Sequence, residues 1–143
     1  MSIDKDIAQF VTESGATEPS LYSEDFRKWK AIFKRSNYFI FNGKLMIVKI
    51  SRSNKPFWGL TKGIIDLLNS MKDYLLVLLV SSREGWVFNK KDVNDNIRSN
   101  RWKLRVADQN YKINYPLPDS HSFISMKSFF KKVAVESEKN NKI

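Results

Sequence analysis

Apolar residues recur along the chain with two different spacings, which together predict alternating helices and strands. A spacing of three to four residues predicts helices over 4–12, 23–35, 60–71, 92–97 and 125–135. Two β-rich runs flank Asn42 and Gly43, a pair in which both residues tolerate positive φ, so these runs predict a hairpin. The run 74–80 is apolar throughout and predicts a central strand covered on both faces. Further strands are predicted at 86–88, 101–106 and 110–115, the last two as a hairpin.

The order of these elements predicts an α/β or α+β fold in which a mixed central sheet is flanked by helices. We expect a single globular domain over residues 21–135. Residues 1–20 are expected to form a helix and a flexible polar linker, and residues 136–143 a polar tail. A chain of 143 residues with 42% hydrophobic content is long enough to bury a core of its own.

The distribution of charge changes this picture from a generic domain to a candidate polyanion binder. The chain has 25 basic and 15 acidic residues. Residues 26–65 contain no Asp or Glu, so the formal net charge of +10 is carried by this segment, which we call the acid-free window. A continuous positive field on a folded surface attracts polyanions such as nucleic acids. The window contains ten basic residues: Arg27, Lys28, Lys30, Lys34, Arg35, Lys44, Lys49, Arg52, Lys55 and Lys62.

Several classes of site are excluded by composition. The absence of cysteine excludes disulfides, thiolate zinc sites and cysteine nucleophiles, and a single histidine, His121, excludes a histidine cluster. His121 is predicted to be a surface residue in a loop. The N-terminus has no signal-peptide pattern, and the longest apolar run is too short to cross a bilayer, so we expect a cytoplasmic protein without a membrane partner.

The segment 37–51, NYFIFNGKLMIVKIS, resembles the signature of the PD-(D/E)XK nuclease-like superfamily. In that family an aspartate precedes a turn, and the next strand carries an acidic residue two positions before a lysine. The following predicted helix and the strand at 74–80 also fit, so the resemblance covers about residues 22–97. It implies a restriction-endonuclease-like core and a DNA ligand.

The residues that the family uses for catalysis are replaced here. When Lys49 is matched to the motif lysine, Ile47 occupies the place of the motif acid and Asn37 lies near the place of the first aspartate. The two family acids hold a divalent metal that activates water. Isoleucine cannot bind Mg²⁺, and asparagine is a weak, uncharged ligand. The resemblance therefore implies a scaffold that binds phosphate without cutting it.

We expect a nucleic-acid-binding protein without a cofactor, with DNA favoured over RNA. Trp58, next to Phe57, is interpreted either as a plug over the sheet or as part of a base-stacking pair. Arg101, Lys103 and Arg105 alternate along one predicted strand; they either extend the binding surface or protect an edge strand from pairing. The candidate contacts are Arg27, Lys28, Lys30, Lys34, Arg35, Lys44, Lys49, Arg52, Lys55, Trp58, Lys62, Arg101, Lys103 and Arg105.

Two alternatives remain open from the sequence. One is an active, Mg²⁺-dependent nuclease whose acidic ligands have moved to other positions, with Lys49, Glu24 and Asp66 as candidate catalytic residues. The other is a small inhibitor or subunit that docks its basic face on an acidic protein partner. The loss of the motif acids favours a protein without catalytic activity over the nuclease.

Overall fold

A computed structural model describes residues 4–19 and 38–141, with the side chains of 135–141 not described. Within these ranges the chain forms four α-helices and two β-sheets. The helix predicted over 23–35 lies outside the described residues. The elements, in chain order, are α1 (Lys5–Ser14), β1 (Tyr38–Phe41), β2 (Lys44–Ile50), β3 (Phe57–Thr61), α2 (Lys62–Asn69), β4 (Tyr74–Leu79), β5 (Gly85–Asn89), α3 (Lys90–Arg98), β6 (Lys103–Arg105), β7 (Asn110–Asn114), β8 (Ser122–Phe123) and α4 (Met126–Asn141).

The large sheet has five strands in the order β1-β2-β4-β5-β8. Strands β2 and β4 are parallel, and the other neighbouring pairs are antiparallel. The prediction of a mixed sheet flanked by helices is therefore confirmed. Its restriction-endonuclease-like arrangement stays a prediction.

The predicted Asn-Gly hairpin is present between β1 and β2. Asn42 has φ 49° and Gly43 has φ 77°, so both residues adopt the left-handed backbone that this turn requires. The turn fixes the register, in which Phe41 lies opposite Lys44 and Tyr38 opposite Ile47. Lys49 is thereby placed at the far end of β2 from the turn.

The small sheet has three antiparallel strands in the order β3-β7-β6. The hairpin predicted from 101–106 and 110–115 is confirmed by the pairing of β6 with β7. The predicted start of a helix at Leu60 is wrong, because β3 extends to Thr61. Trp58 and Leu60 alternate toward the core as strand residues, and Thr61 caps α2 by accepting a hydrogen bond from the Ile64 amide at 3.3 Å.

The core lies on both faces of the large sheet. One face is covered by α1 and α4, through residues such as Phe10 and Phe129, which are fully buried. The other face is covered by α2, α3 and the small sheet, with Trp58 and Trp102 among the buried residues. All six residues of β4 are buried, which confirms the central strand predicted from the apolar run.

Helices α1 and α4, near the two ends of the chain, lie where the sequence predicts helices, and their bounds differ from the predicted ones. Helix α1 agrees with the prediction over 4–12 and begins after Asp4, whose carboxylate accepts hydrogen bonds from the amides of Asp6 and Ile7. Thr17 then forms a bridge to Ile40 of β1. Helix α4 extends to Asn141, beyond its predicted end at 135, because the polar residues that follow are compatible with a helix. The predicted domain limits at 20 and 136 stay predictions.

Candidate functional site

Part of the predicted binding surface lies outside the described residues. These positions are Arg27, Lys28, Lys30, Lys34 and Arg35. The candidate catalytic acid Glu24 and the motif position Asn37 also lie outside the described residues.

Three of the described cations in the acid-free window form ion pairs with carboxylates. Lys44 lies 3.1 Å from Asp73, and Lys62 lies 3.0 Å from Asp66 one helical turn later. The absence of acids from a sequence segment therefore does not make the folded surface around it free of acids.

Arg52 forms the most extensive of these pairs. Its guanidinium donates to Asp4, the N-cap of α1, at 2.7 Å and to Asp6, in the first turn of α1, at 2.8 Å. Hydrogen bonding to Arg52 is the main reason why the pKa of Asp4 lies below its usual range. Arg52 therefore joins the loop after β2 to the N-terminal helix.

Lys49 and Lys55 have no ion-pair partner within the described part of the chain. Lys55 is exposed in the loop before β3. Lys49 is half-buried on the face of β2 that carries Ile47, directly beside Leu78 of β4. Burial lowers the pKa of Lys49.

No group of three or more His, Cys, Asp or Glu side chains in residues 4–19 and 38–141 is placed to hold a metal ion. Asp66, one of the candidate acids, is 60% exposed on α2 and is paired with Lys62.

The small sheet presents one face to the core and the other outward. Trp58, Leu60 and Ile113 are buried on the inner face. The outward residues form three rows across the strands, following the observed register. These rows are Phe57 beside Asn114; then Gly59, Lys112 and Lys103; then Thr61, Asn110 and Arg105. We call this set the outer face.

Two lysines lie directly opposite each other at the centre of the outer face. Lys103 of the edge strand β6 pairs in register with Lys112 of the central strand β7. Like charges in directly opposed positions destabilise a sheet. The carboxylate nearest in sequence is Asp108 in the β6–β7 turn, which is already hydrogen-bonded by Arg105. Arg105 is the main cause of the lowered pKa of Asp108, and the charge of Lys112 also contributes to it.

The two aromatic residues that begin β3 have opposite environments. Trp58 is 3% exposed, and its indole nitrogen donates to the carbonyl of Leu79 at 3.2 Å. Phe57 is 53% exposed at one end of the outer face. Trp58 therefore serves as the plug over the large sheet, and Phe57 is the ring with surface available to a ligand.

The structure brings together only part of the predicted set. Lys103 and Arg105 share the outer face, as their alternation predicts, whereas Arg101 precedes β6 and donates to the side chain of Asn96 at 2.9 Å. Sequence reasoning missed Lys112. The alternation in NYKINY already separates Lys112 from the apolar Tyr111 and Ile113, so pairing the two predicted strands would have placed it beside Lys103.

Among the described helices, none has the length and apolar character needed to cross a membrane. Comparisons with protein-family models, with curated proteins and with solved structures gave no match to this chain.

Proposed function

We propose that this protein binds nucleic acid, with DNA preferred, through phosphate contacts on the outer face of the small sheet. The observation that carries the proposal is the direct opposition of Lys103 and Lys112. Like charges in directly opposed positions on neighbouring strands destabilise a sheet, and a phosphate bound beside both lysines offsets their charge. The proposed reaction is binding alone, without cleavage.

Protection of an edge strand explains only half of this arrangement. Charged residues on an edge strand prevent pairing with other chains, and this accounts for Lys103 and Arg105 on β6. Lys112 lies on β7, which has a partner on each side and needs no such protection. Binding of one negatively charged ligand accounts for the positions of both lysines.

Other cations extend the proposed surface. Lys55 lies two residues before Phe57 in an exposed loop, and Arg105 lies on the same face as Lys103. Arg105 already forms an ion pair with Asp108, so we assign it a smaller role than the two lysines. Lys44, Arg52 and Lys62 already have carboxylate partners and are secondary candidates.

The test is a salt titration of binding to a fluorescent DNA oligonucleotide, measured by anisotropy, with wild-type protein and the double variant Lys103→Gln/Lys112→Gln. Each lost phosphate contact lowers the slope of log K against log salt by about 0.7 to 0.9. We expect the double variant to lower the slope by about 1.5 and to weaken binding at least about tenfold at ~0.1 M salt.

A matched control separates the outer face from net charge. Lys127→Gln/Lys131→Gln removes the same charge from two exposed positions on α4 and is expected to bind like the wild type. Equal losses in the two double variants, or no binding by the wild type at ~50 mM salt, would refute the proposal. Displacement of the DNA by polyglutamate at equal charge concentration would instead favour an acidic protein partner.

A further inference from the structure

We infer that the ligand of the outer face is single-stranded nucleic acid, with a base stacked on Phe57 and the adjoining phosphates held by Lys112 and Lys103. This inference rests on the proposed function and adds the strandedness of the ligand.

The exposed ring of Phe57 is the first reason. Phe57 is 53% exposed, although the chain places Trp58, the next residue, at 3% exposure. A base in a duplex is already stacked on both sides, whereas an unpaired base has a free face for an aromatic ring. The ring is therefore useful to an unpaired strand and offers little to an intact duplex.

The second reason is the open position beside the ring. Gly59 follows Phe57 on the outer face, and it places no side chain between the ring and the Lys112–Lys103 pair in its row. A Cβ at position 59 would meet only the side chain of Asn110, at 3.6 Å, which is an ordinary contact. The lack of a side chain is therefore not required by packing, and it leaves room for a base or sugar beside the Asn110 side chain.

The third reason is the order of the groups. Outward positions on β3 are about 6.7 Å apart, so the ring, the open position and the lysine pair follow one another at short intervals. Asn114 borders the lysine pair on β7 and carries an amide that can donate to and accept from a base edge, whereas the Asn110 amide already donates to Asp108. The Phe57 ring, the open position at Gly59 and the two lysines thus match one base and its adjoining phosphates.

The experiment compares three fluorescent probes of equal length at ~100 mM salt: oligo-dT, oligo-U and a DNA duplex. We expect the wild type to bind the single strands more tightly than the duplex. Removing an aromatic ring that stacks on a base costs about 1–3 kcal/mol, so Phe57→Leu should weaken single-strand binding about 5- to 150-fold and leave duplex binding unchanged. Phe57→Tyr should retain binding, and Gly59→Val, which fills the open position, should weaken it.

Phe130→Leu is the matched control, because Phe130 is also an exposed ring, 42% exposed, but lies on α4. It should bind all probes like the wild type. Equal or tighter binding of the duplex, or full single-strand binding by Phe57→Leu with an unchanged Tm, overturns the inference. If the duplex still depends on Lys103 and Lys112, the proposed function survives that result; if no probe binds, the proposed function itself fails. The ratio of oligo-dT to oligo-U affinity distinguishes DNA from RNA.

Discussion

The indole nitrogen of Trp58 donates a hydrogen bond to the carbonyl oxygen of Leu79 at 3.2 Å, and so connects the small sheet to the central strand of the large one. The same carbonyl accepts a second hydrogen bond, from the Ser51 amide at 3.0 Å. The ring of Trp58 also packs edge-on against Trp86, with centroids 5.6 Å apart. One side chain thus contributes packing and a directional contact to the junction of the two sheets.

We predict that Trp58→Phe lowers the free energy of unfolding by about 1 kcal/mol in excess of its packing loss, the cost of one hydrogen bond. The cost of losing the hydrogen bond stays small because the Leu79 carbonyl still accepts one from the Ser51 amide. Trp58→Ala should cost about 3–5 kcal/mol through the cavity it leaves. Urea denaturation measures both values, and a Trp58→Phe variant as stable as the wild type would contradict the assigned hydrogen bond.

Gly85→Ala is predicted to be strongly destabilising, by about 3 kcal/mol or more, since it overpacks a buried strand. A Cβ at Gly85 would collide with the backbone carbonyl of Leu78, and this backbone group cannot move aside as a flexible side chain could. Gly59→Ala is the control, because its Cβ makes only ordinary contacts. Thermal denaturation should show a large fall in Tm for the first variant and little change for the second.

Lys49→Met is predicted to raise Tm at pH 7. Burial lowers the pKa of Lys49, so the unfolded chain binds this proton more tightly and the stability of the wild type rises with pH. The free-energy penalty of burying charged Lys49 is complete below the pKa of Lys49 in the folded protein. It disappears above the pKa of Lys49 in the unfolded chain, ~10.4. The difference in Tm between variant and wild type should therefore shrink as pH approaches that value. A lower Tm for the variant at pH 7 would show that Lys49 has a stabilising partner.

Arg52→Gln is predicted to loosen α1 from the loop after β2, with a small fall in Tm because the pair is exposed. The pKa of Asp4 is lowered by Arg52, so the stabilising contribution is present above the ordinary value of ~3.9 and is lost as pH falls through the folded pKa. The two proteins should differ at pH 7 and converge in strong acid. Hydrogen exchange in α1 provides the local measurement, and unchanged exchange would contradict the assigned role.

Elements with strong local signals could be predicted from sequence. The positive-φ requirement of Asn42 and Gly43 specifies the first hairpin, and the apolar run of β4 specifies a strand covered on both faces. Strand β3 is not predicted, because Leu60 fits the apolar stripe of the following helix as well as a strand. Only the partner strand β7, distant in sequence, decides between the two readings.

The candidate site was predictable to a smaller extent. Alternation correctly placed Lys103 and Arg105 on one face. Charge counting along the chain could not show that Arg52 meets Asp4 and Asp6, because those contacts join segments that are far apart in sequence. For the same reason the opposition of Lys103 to Lys112 depends on the register of two strands and not on either segment alone.

The pairing of β3 with β7 determines when the small sheet can form during synthesis of the chain. Phe57 pairs with Asn114 and Thr61 with Asn110, so β3 has no partner strand until the ribosome has supplied the second half of the chain. Contacts between such distant segments form late and slowly. The outer face therefore forms only after β7 has been made, and a chain that ends before β7 lacks it.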